Sequence, residues 1–222
     1  MTSLTDRRFV VLVGNYGSGK TELALNLALD SARTMQTTLV DLDIVNPYFR
    51  SGEKADELRA AGVRVLMPTF ALSTVDIPAL PAEIQSVFEQ PGDRVIFDVG
   101  GDDTGAAALG RYAPSFRRFR EDTLVCLVVN AMRPLTQTPE DVADLARRIE
   151  NRGRMNIDVV INNTNLADLT DSEIIRQGHA VAQEAARLLG IPQVVDAAMP
   201  RLAVEGALPL QRHMAPEWME EA

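Results

Sequence analysis

Residues 14–21, Gly14-Asn15-Tyr16-Gly17-Ser18-Gly19-Lys20-Thr21, spell G-x-x-x-x-G-K-[ST]. The motif requires a strand before it and a helix after it. Both are present: the apolar run Phe9–Val13 precedes it, and a helical pattern through Leu23, Leu27 and Ala28 follows. Glycines let successive backbone N–H groups turn inward around phosphate oxygens, where a side chain would clash. The helix behind the loop aims its positive end at the same place. On this reading Gly14, Asn15, Tyr16, Gly17, Ser18 and Gly19 cradle phosphate. Lys20 reaches the β- and γ-phosphates, and the Thr21 hydroxyl binds Mg2+.

Short β-branched runs alternate with helical patterns along the rest of the chain. Strands are expected at 9–13, 38–42, 63–67, 94–98, 123–129, 157–162 and 193–196. Thr138-Pro139-Glu140-Asp141 gives one helix its cap, first-turn proline and acids. Thr170-Asp171-Ser172-Glu173 reads as a capping box for another. This alternation predicts an α/β fold, a mostly parallel twisted sheet with helices on both faces. Ligands in such sheets bind beyond the carboxyl ends of the strands, so residues just after each strand matter most.

With 222 residues and no linker-like tract, one nucleotide-binding domain over 1–222 is expected, its core about 8–200 and a C-terminal extension over 201–222. The apolar runs are too short to cross a bilayer, and the N-terminus lacks the apolar core of a signal peptide. The single cysteine, Cys126, lies in an apolar run and reads as a core residue. These features point to a cytoplasmic protein without a membrane anchor. The net charge of −9 argues against nucleic acid as the main partner. Arginines cluster at 111–120 and 147–154, where solvated helix faces explain them.

Acids stand where catalysis needs them. Asp41 and Asp43 follow the second strand and, two residues apart, point the same way. One can hold a metal-bound water while the other orients an attacking water. Asp98 ends the fourth apolar strand ahead of Val99-Gly100-Gly101-Asp102-Asp103, as a carboxylate that meets Mg2+ would. Gly101 could offer its N–H to a γ-phosphate, which makes this a switch loop. Asp102 and Asp103 read as turn or cap residues, and Asp76, in the proline-rich stretch 73–81, as part of a turn. After the sixth strand comes Asn162-Asn163-Thr164-Asn165. Many P-loop GTPases carry N-K-x-D here, and the aspartate accepts two hydrogen bonds from guanine. Asn163 stands for the lysine and Asn165 for the acid. An amide cannot accept both guanine donors, whereas an asparagine here suits adenine, so ATP is expected over GTP.

Together, the phosphate loop, D-x-D after the second strand, D-x-G-G after the fourth and Asn after the sixth resemble the MinD/ParA/CobQ-type nucleotide-binding proteins. That is the P-loop class of the nitrogenase iron protein. The resemblance spans roughly residues 9–200. It implies Gly17, Gly19, Lys20 and Thr21 on the phosphates, Asp43 orienting water, and Asp43, Asp98 and Thr21 on the metal side. Asn162 or Asn163 would read adenine. It also implies ATP-sandwiched dimers whose switch loops signal to a partner. Three departures stand out: Asn15 replaces the lysine that reaches across such a dimer, the cluster-bridging cysteines of the iron protein are absent, and no membrane-targeting tail like that of MinD is present.

The expected function is therefore a Mg2+–ATP-binding protein. It would be a slow ATPase with Lys20 and Asp43 as catalytic groups, working as a conformational switch. A protein partner would dock through the 43–50 and 98–105 loops, with a homodimer also possible. The alternatives are a small-molecule kinase or ATP-dependent ligase, a GTPase of maturation-factor type, and a binding module without catalysis.

Overall fold

A computed structural model describes residues 6–43, 55–67, 82–90, 92–101 and 103–214. The expectations placed on 44–50, 73–81, Asp102 and the acidic stretch 215–222 lie outside those residues. In chain order the elements are β1 (Phe9–Val13), α1 (Lys20–Ala32), β2 (Thr37–Leu42), α2 (Ala55–Ala60), β3 (Arg64–Leu66) and α3 (Ala82–Glu89). Then come β4 (Arg94–Val99), α4 (Asp103–Arg111), α5 (Ala113–Arg118), β5 (Thr123–Val129) and α6 (Pro139–Gly153). The chain closes with β6 (Val159–Asn162), α7 (Ser172–Leu189), β7 (Val194–Ala198) and β8 (Leu208–Pro209).

The described strands form one parallel sheet in the order β3-β2-β4-β1-β5-β6-β7-β8. All residues of β1, β2, β4, β5 and β6 are buried, which is why these strands read as continuous apolar runs rather than alternating ones. Alternation survives as a choice of core. Phe9, Val11 and Val13 face the core that receives α3 to α7, whereas Val10 and Leu12 face α1 and α2. The first core is aromatic: Phe88 stacks on Phe9 with centroids 5.4 Å apart and meets Phe116 edge-on at 5.0 Å. Such pairs add about 0.5–1.5 kcal/mol each beyond area burial. Cys126 belongs to the second core, and burial raises its thiol pKa well above the ordinary value, so it is an inert filler.

From β1 the sheet grows one way through β5, β6, β7 and β8 and the other way through β4, β2 and β3. The order reverses at β1, and the phosphate loop leaves the carboxyl end of that strand. This is the crevice such sheets offer to ligands.

Three details differ from the sequence reading. The cap of α7 is Asp171, whose carboxylate accepts from Ile174 N at 2.8 Å. Thr170 instead accepts from Leu166 N and donates to the Ala167 carbonyl, closing the preceding turn. Strand β6 begins at Val159, because Ile157 N is bound by Glu150 Oε1 and the Asp158 carboxylate accepts from Val125 N. Finally, β8 lies in the part expected to be an extension. It pairs with β7 (Ala197 with Leu208) and leads into a strap across α1. Asn26 exchanges two hydrogen bonds with the Gln211 backbone, at 2.8 and 2.7 Å. The Glu22 carboxylate accepts from His213 N at 2.6 Å and Met214 N at 3.0 Å.

Candidate functional site

The loop 14–21 is folded as a cradle. Gly14, at φ +148°, passes so near β5 that a Cβ would stand 2.3 Å from the Val128 carbonyl oxygen, so no other residue fits. Lys20 is buried, and its Nζ donates to the Asn15 carbonyl at 2.9 Å, across the mouth of the loop. Ser18 Oγ is buried and has no hydrogen-bond partner among the described residues. A buried hydroxyl left in this way costs about 1–3 kcal/mol; Ser18 is not among the residues that line the neighbouring cavity. Three glycines at positive φ (Gly14, Gly17 and Gly19), with Lys20 and Thr21 at the cavity, fit a phosphate group.

Beside the cradle, Thr21 Oγ1 donates to Asp98 Oδ2 at 2.7 Å. Asp98 is 1% exposed, and burial raises its pKa to about 6; Lys20 and the Thr21 bond pull it down, while Asp43 pushes it up. The register of β2 on β4 sets Asp41 opposite Asp98. Leu39 and Ile96, two residues earlier, both face the α1-side core, so both acids point towards α1. Asp41 Oδ1 accepts from Asp43 N at 2.8 Å and so turns the chain that presents Asp43 at the cavity. Asp41 thus positions Asp43. Among the described residues no group of three or more His, Cys, Asp or Glu gathers to hold a metal alone.

Gly101 sits against the loop itself: a Cβ on it would lie 2.5 Å from Tyr16 N and 2.9 Å from the Asn15 carbonyl carbon. The end of β4 and the cradle are therefore in backbone contact, a placement open only to glycine.

These residues border a cavity of about 460 Å3, in the range of sites for small ligands. The lining includes Tyr16, Gly17, Lys20, Thr21, Asp43 and Gly101, together with Asn163, Asn165, Met199, Leu202, Leu210 and Met214 from the chain after β6, β7 and β8. Asn163 donates from Nδ2 to the Ser18 carbonyl at 2.8 Å, bracing the cradle from the far side. Asn165 donates to the Asn163 carbonyl at 2.8 Å and accepts from Ala167 N at 3.3 Å. Asn162 is used elsewhere. Fully buried, it donates to the Ile175 carbonyl at 3.0 Å and to Asp196 Oδ1 at 2.8 Å, and accepts from Thr164 N at 3.2 Å. It joins β6 to α7 and β7 and does not border the cavity. Of the two asparagines considered as base readers, only Asn163 reaches the site.

The structure also brings in residues that the sequence reading did not single out. Arg133, from the loop after β5, and Met199 and Leu202, after β7, line the same cavity. The signal available was position alone, since both loops leave the carboxyl ends of strands.

No family model matches the sequence, and no curated protein does. Solved structures do. FtsY from Mycoplasma mycoides aligns with 88% of this chain at 17% identity and a TM-score of 0.59, and this chain spans 61% of its length. The signal recognition particle 54 kDa protein from Aeropyrum pernix, solved with GDP, aligns with 89% at 23% identity and a TM-score of 0.55, with 43% of its own length spanned. A nucleotide-binding protein from Archaeoglobus fulgidus, solved with ADP, aligns with 97% of this chain and 91% of its own, at 14% identity and a TM-score of 0.51. Among the described residues no helix is long and apolar enough to cross a membrane. The parallel sheet with its flanking helices is the α/β fold of the P-loop nucleotide-binding proteins.

Proposed function

We propose that this chain binds a magnesium nucleoside triphosphate, ATP before GTP, and hydrolyses it slowly as a conformational switch for a protein partner. The observation that carries the reading is the Thr21–Asp98 hydrogen bond beside a phosphate cradle, at one end of a cavity of nucleotide size. Lys20 and the loop amides bind the phosphates. Thr21 and Asp98 hold the metal side, directly or through water. Mg2+, when bound, neutralises phosphate charge. Asp43 orients the attacking water. The water oxygen bonds to the terminal phosphorus, the bond from that phosphorus to the bridging oxygen breaks, and the diphosphate leaves with the electron pair. The water protons pass to phosphate and solvent.

ATP is preferred because neither Asn163 nor Asn165 supplies the carboxylate that a guanine reader needs. The partner reads the state of the Gly101 segment, whose contact with Tyr16 is the sensor. A second copy of this chain is one candidate partner. The shared α/β fold supports nucleotide binding, and the motifs at 14–21, 41–43 and 98–101 are the ground for placing the chain with the MinD/ParA-like class.

Calorimetry with ATP, GTP and EDTA tests the reading. Binding is expected to need Mg2+, to favour ATP, and to vanish in Lys20→Ala. Absence of magnesium-dependent nucleotide binding in the wild type overturns it.

A further inference from the structure

The geometry points to a phosphate-contacting arginine supplied by the chain to its own site: Arg133, held over the cradle by Asn15. This deepens the triphosphate reading above and rests on it.

Asn15 occupies the position where the resembling class carries a lysine directed at a second subunit. Here its side chain is turned inward. Nδ2 donates to the Pro134 carbonyl at 3.0 Å, and Oδ1 accepts from Tyr16 N at 2.9 Å. The second residue of the cradle therefore grips the loop that follows β5. The residue before Pro134 is Arg133, and its side chain lies across Gly17. From the place a Gly17 Cβ would take, Nε is 3.5 Å away, Cδ 3.7 Å and Cζ 3.9 Å. The guanidinium borders the same cavity as Lys20, Asp43 and Gly101.

The platform beneath Arg133 is tied at several points. Its N–H donates to the Asn130 carbonyl at 3.1 Å. Thr136 Oγ1, fully buried, donates to the Asn130 carbonyl at 2.8 Å and lies 3.2 Å from the Arg133 carbonyl. Ala131 N donates to Thr164 Oγ1 at 3.0 Å, which joins this turn to the loop after β6. The ordering entropy of the backbone is spent before any ligand arrives, so only the side chain must settle. Among the described residues Arg133 pairs with no carboxylate, although the chain holds 31 acids against 22 basic residues. A guanidinium kept clear of acids and laid along a phosphate cradle matches phosphate oxygens in charge and in its paired N–H geometry.

Arg133 therefore contacts the terminal phosphates, and Asn15 is its positioning residue. The positive charge that the resembling class takes from a second subunit is here intramolecular.

The test compares wild type, Arg133→Ala, Arg133→Lys and Asn15→Ala. It measures affinity for ADP and for a non-hydrolysable ATP analogue with Mg2+, together with turnover of ATP across protein concentration. Arg133→Ala is expected to lose about tenfold or more in triphosphate affinity or turnover, with ADP affinity held within about twofold. Arg133→Lys restores part of the loss. Asn15→Ala falls between and raises the salt sensitivity of the analogue's binding, because the guanidinium is no longer fixed. Turnover per molecule of wild type stays constant on dilution. Equal losses for ADP and the analogue in Arg133→Ala, or no loss for either with turnover also unchanged, overturn the assignment. A wild type that binds neither nucleotide defeats the triphosphate reading itself; one that binds both while Arg133→Ala matches it defeats only the arginine.

Discussion

Thr21 Oγ1 donates to Asp98 Oδ2 at 2.7 Å, and through that bond the first turn of α1 is fastened to the end of β4. A carboxylate buried here titrates near pH 6, mainly because burial penalises its charged form. Magnesium needs the charged form. Nucleotide binding that depends on Mg2+ is expected to weaken as pH falls through about 6, and Asp98→Asn should bind weakly with a flatter profile. Stability of the ligand-free protein runs the opposite way. The folded pKa is raised above the ordinary 3.8, so the folded state holds the proton more tightly between about pH 4 and 6. Through this group, stability is greatest at the acid end of that window and declines as pH rises across it. Denaturant melts at several pH values, with and without Asp98→Asn, read the difference.

Gly101 admits no side chain against Tyr16 N. Gly101→Ala is expected to push the end of β4 off the cradle and to cost about 1–3 kcal/mol of stability, by the usual penalty for overpacking. Affinity for triphosphate should fall more than affinity for diphosphate. Equal affinities before and after substitution would show that the contact is only packing.

Asn162 is a structural residue and Asn163 borders the cavity. Asn162→Ala leaves Asp196 and the Ile175 carbonyl short of a donor and should cost about 1–3 kcal/mol in chemical denaturation, with the ATP-to-GTP ratio unchanged. His179, whose Nδ1 lies 2.9 Å from Asp196 Oδ1, keeps that carboxylate from being stranded. Asn163→Ala should instead weaken nucleotide affinity, because it removes the brace on Ser18.

Asn165→Asp replaces a donor with a second acceptor in the lining of the cavity. Competition binding is expected to shift towards GTP by about tenfold, the worth of one hydrogen bond to a charged group. No shift would mean that the base is read elsewhere.

How much of this was legible in the sequence depended on distance along the chain. The cradle could be read because its glycines, Lys20 and Thr21 are contiguous and their chemistry fixes their spacing. Asp98 could be read because it ends an apolar strand, and β2 and β4 were recognisable as strands. Asn162 and Asn163 could not be told apart, because that turns on where each points: Asn162 is claimed by α7 and β7, which pack beside β6 only in three dimensions. Arg133 sits in a loop without a motif, and its meaning comes from Gly17, more than a hundred residues earlier. Capping showed the same limit on a smaller scale. The capping box places the cap at Thr170, but Thr170 closes the preceding turn and Asp171 caps α7.

The strap over α1 bears on how the protein is made. Leu210 and Met214 complete a cavity whose cradle is finished by Thr21, so the site is assembled from the earliest and latest parts of the described chain. A chain still emerging from the ribosome has the cradle but not the far wall, and it cannot draw on ligand binding to hold itself folded. Glu22 and Asn26 wait on α1 with open hydrogen-bonding positions until 211–214 arrive. Nucleotide should therefore protect the 222-residue chain from proteolysis and leave nascent chains ending before 208 unprotected.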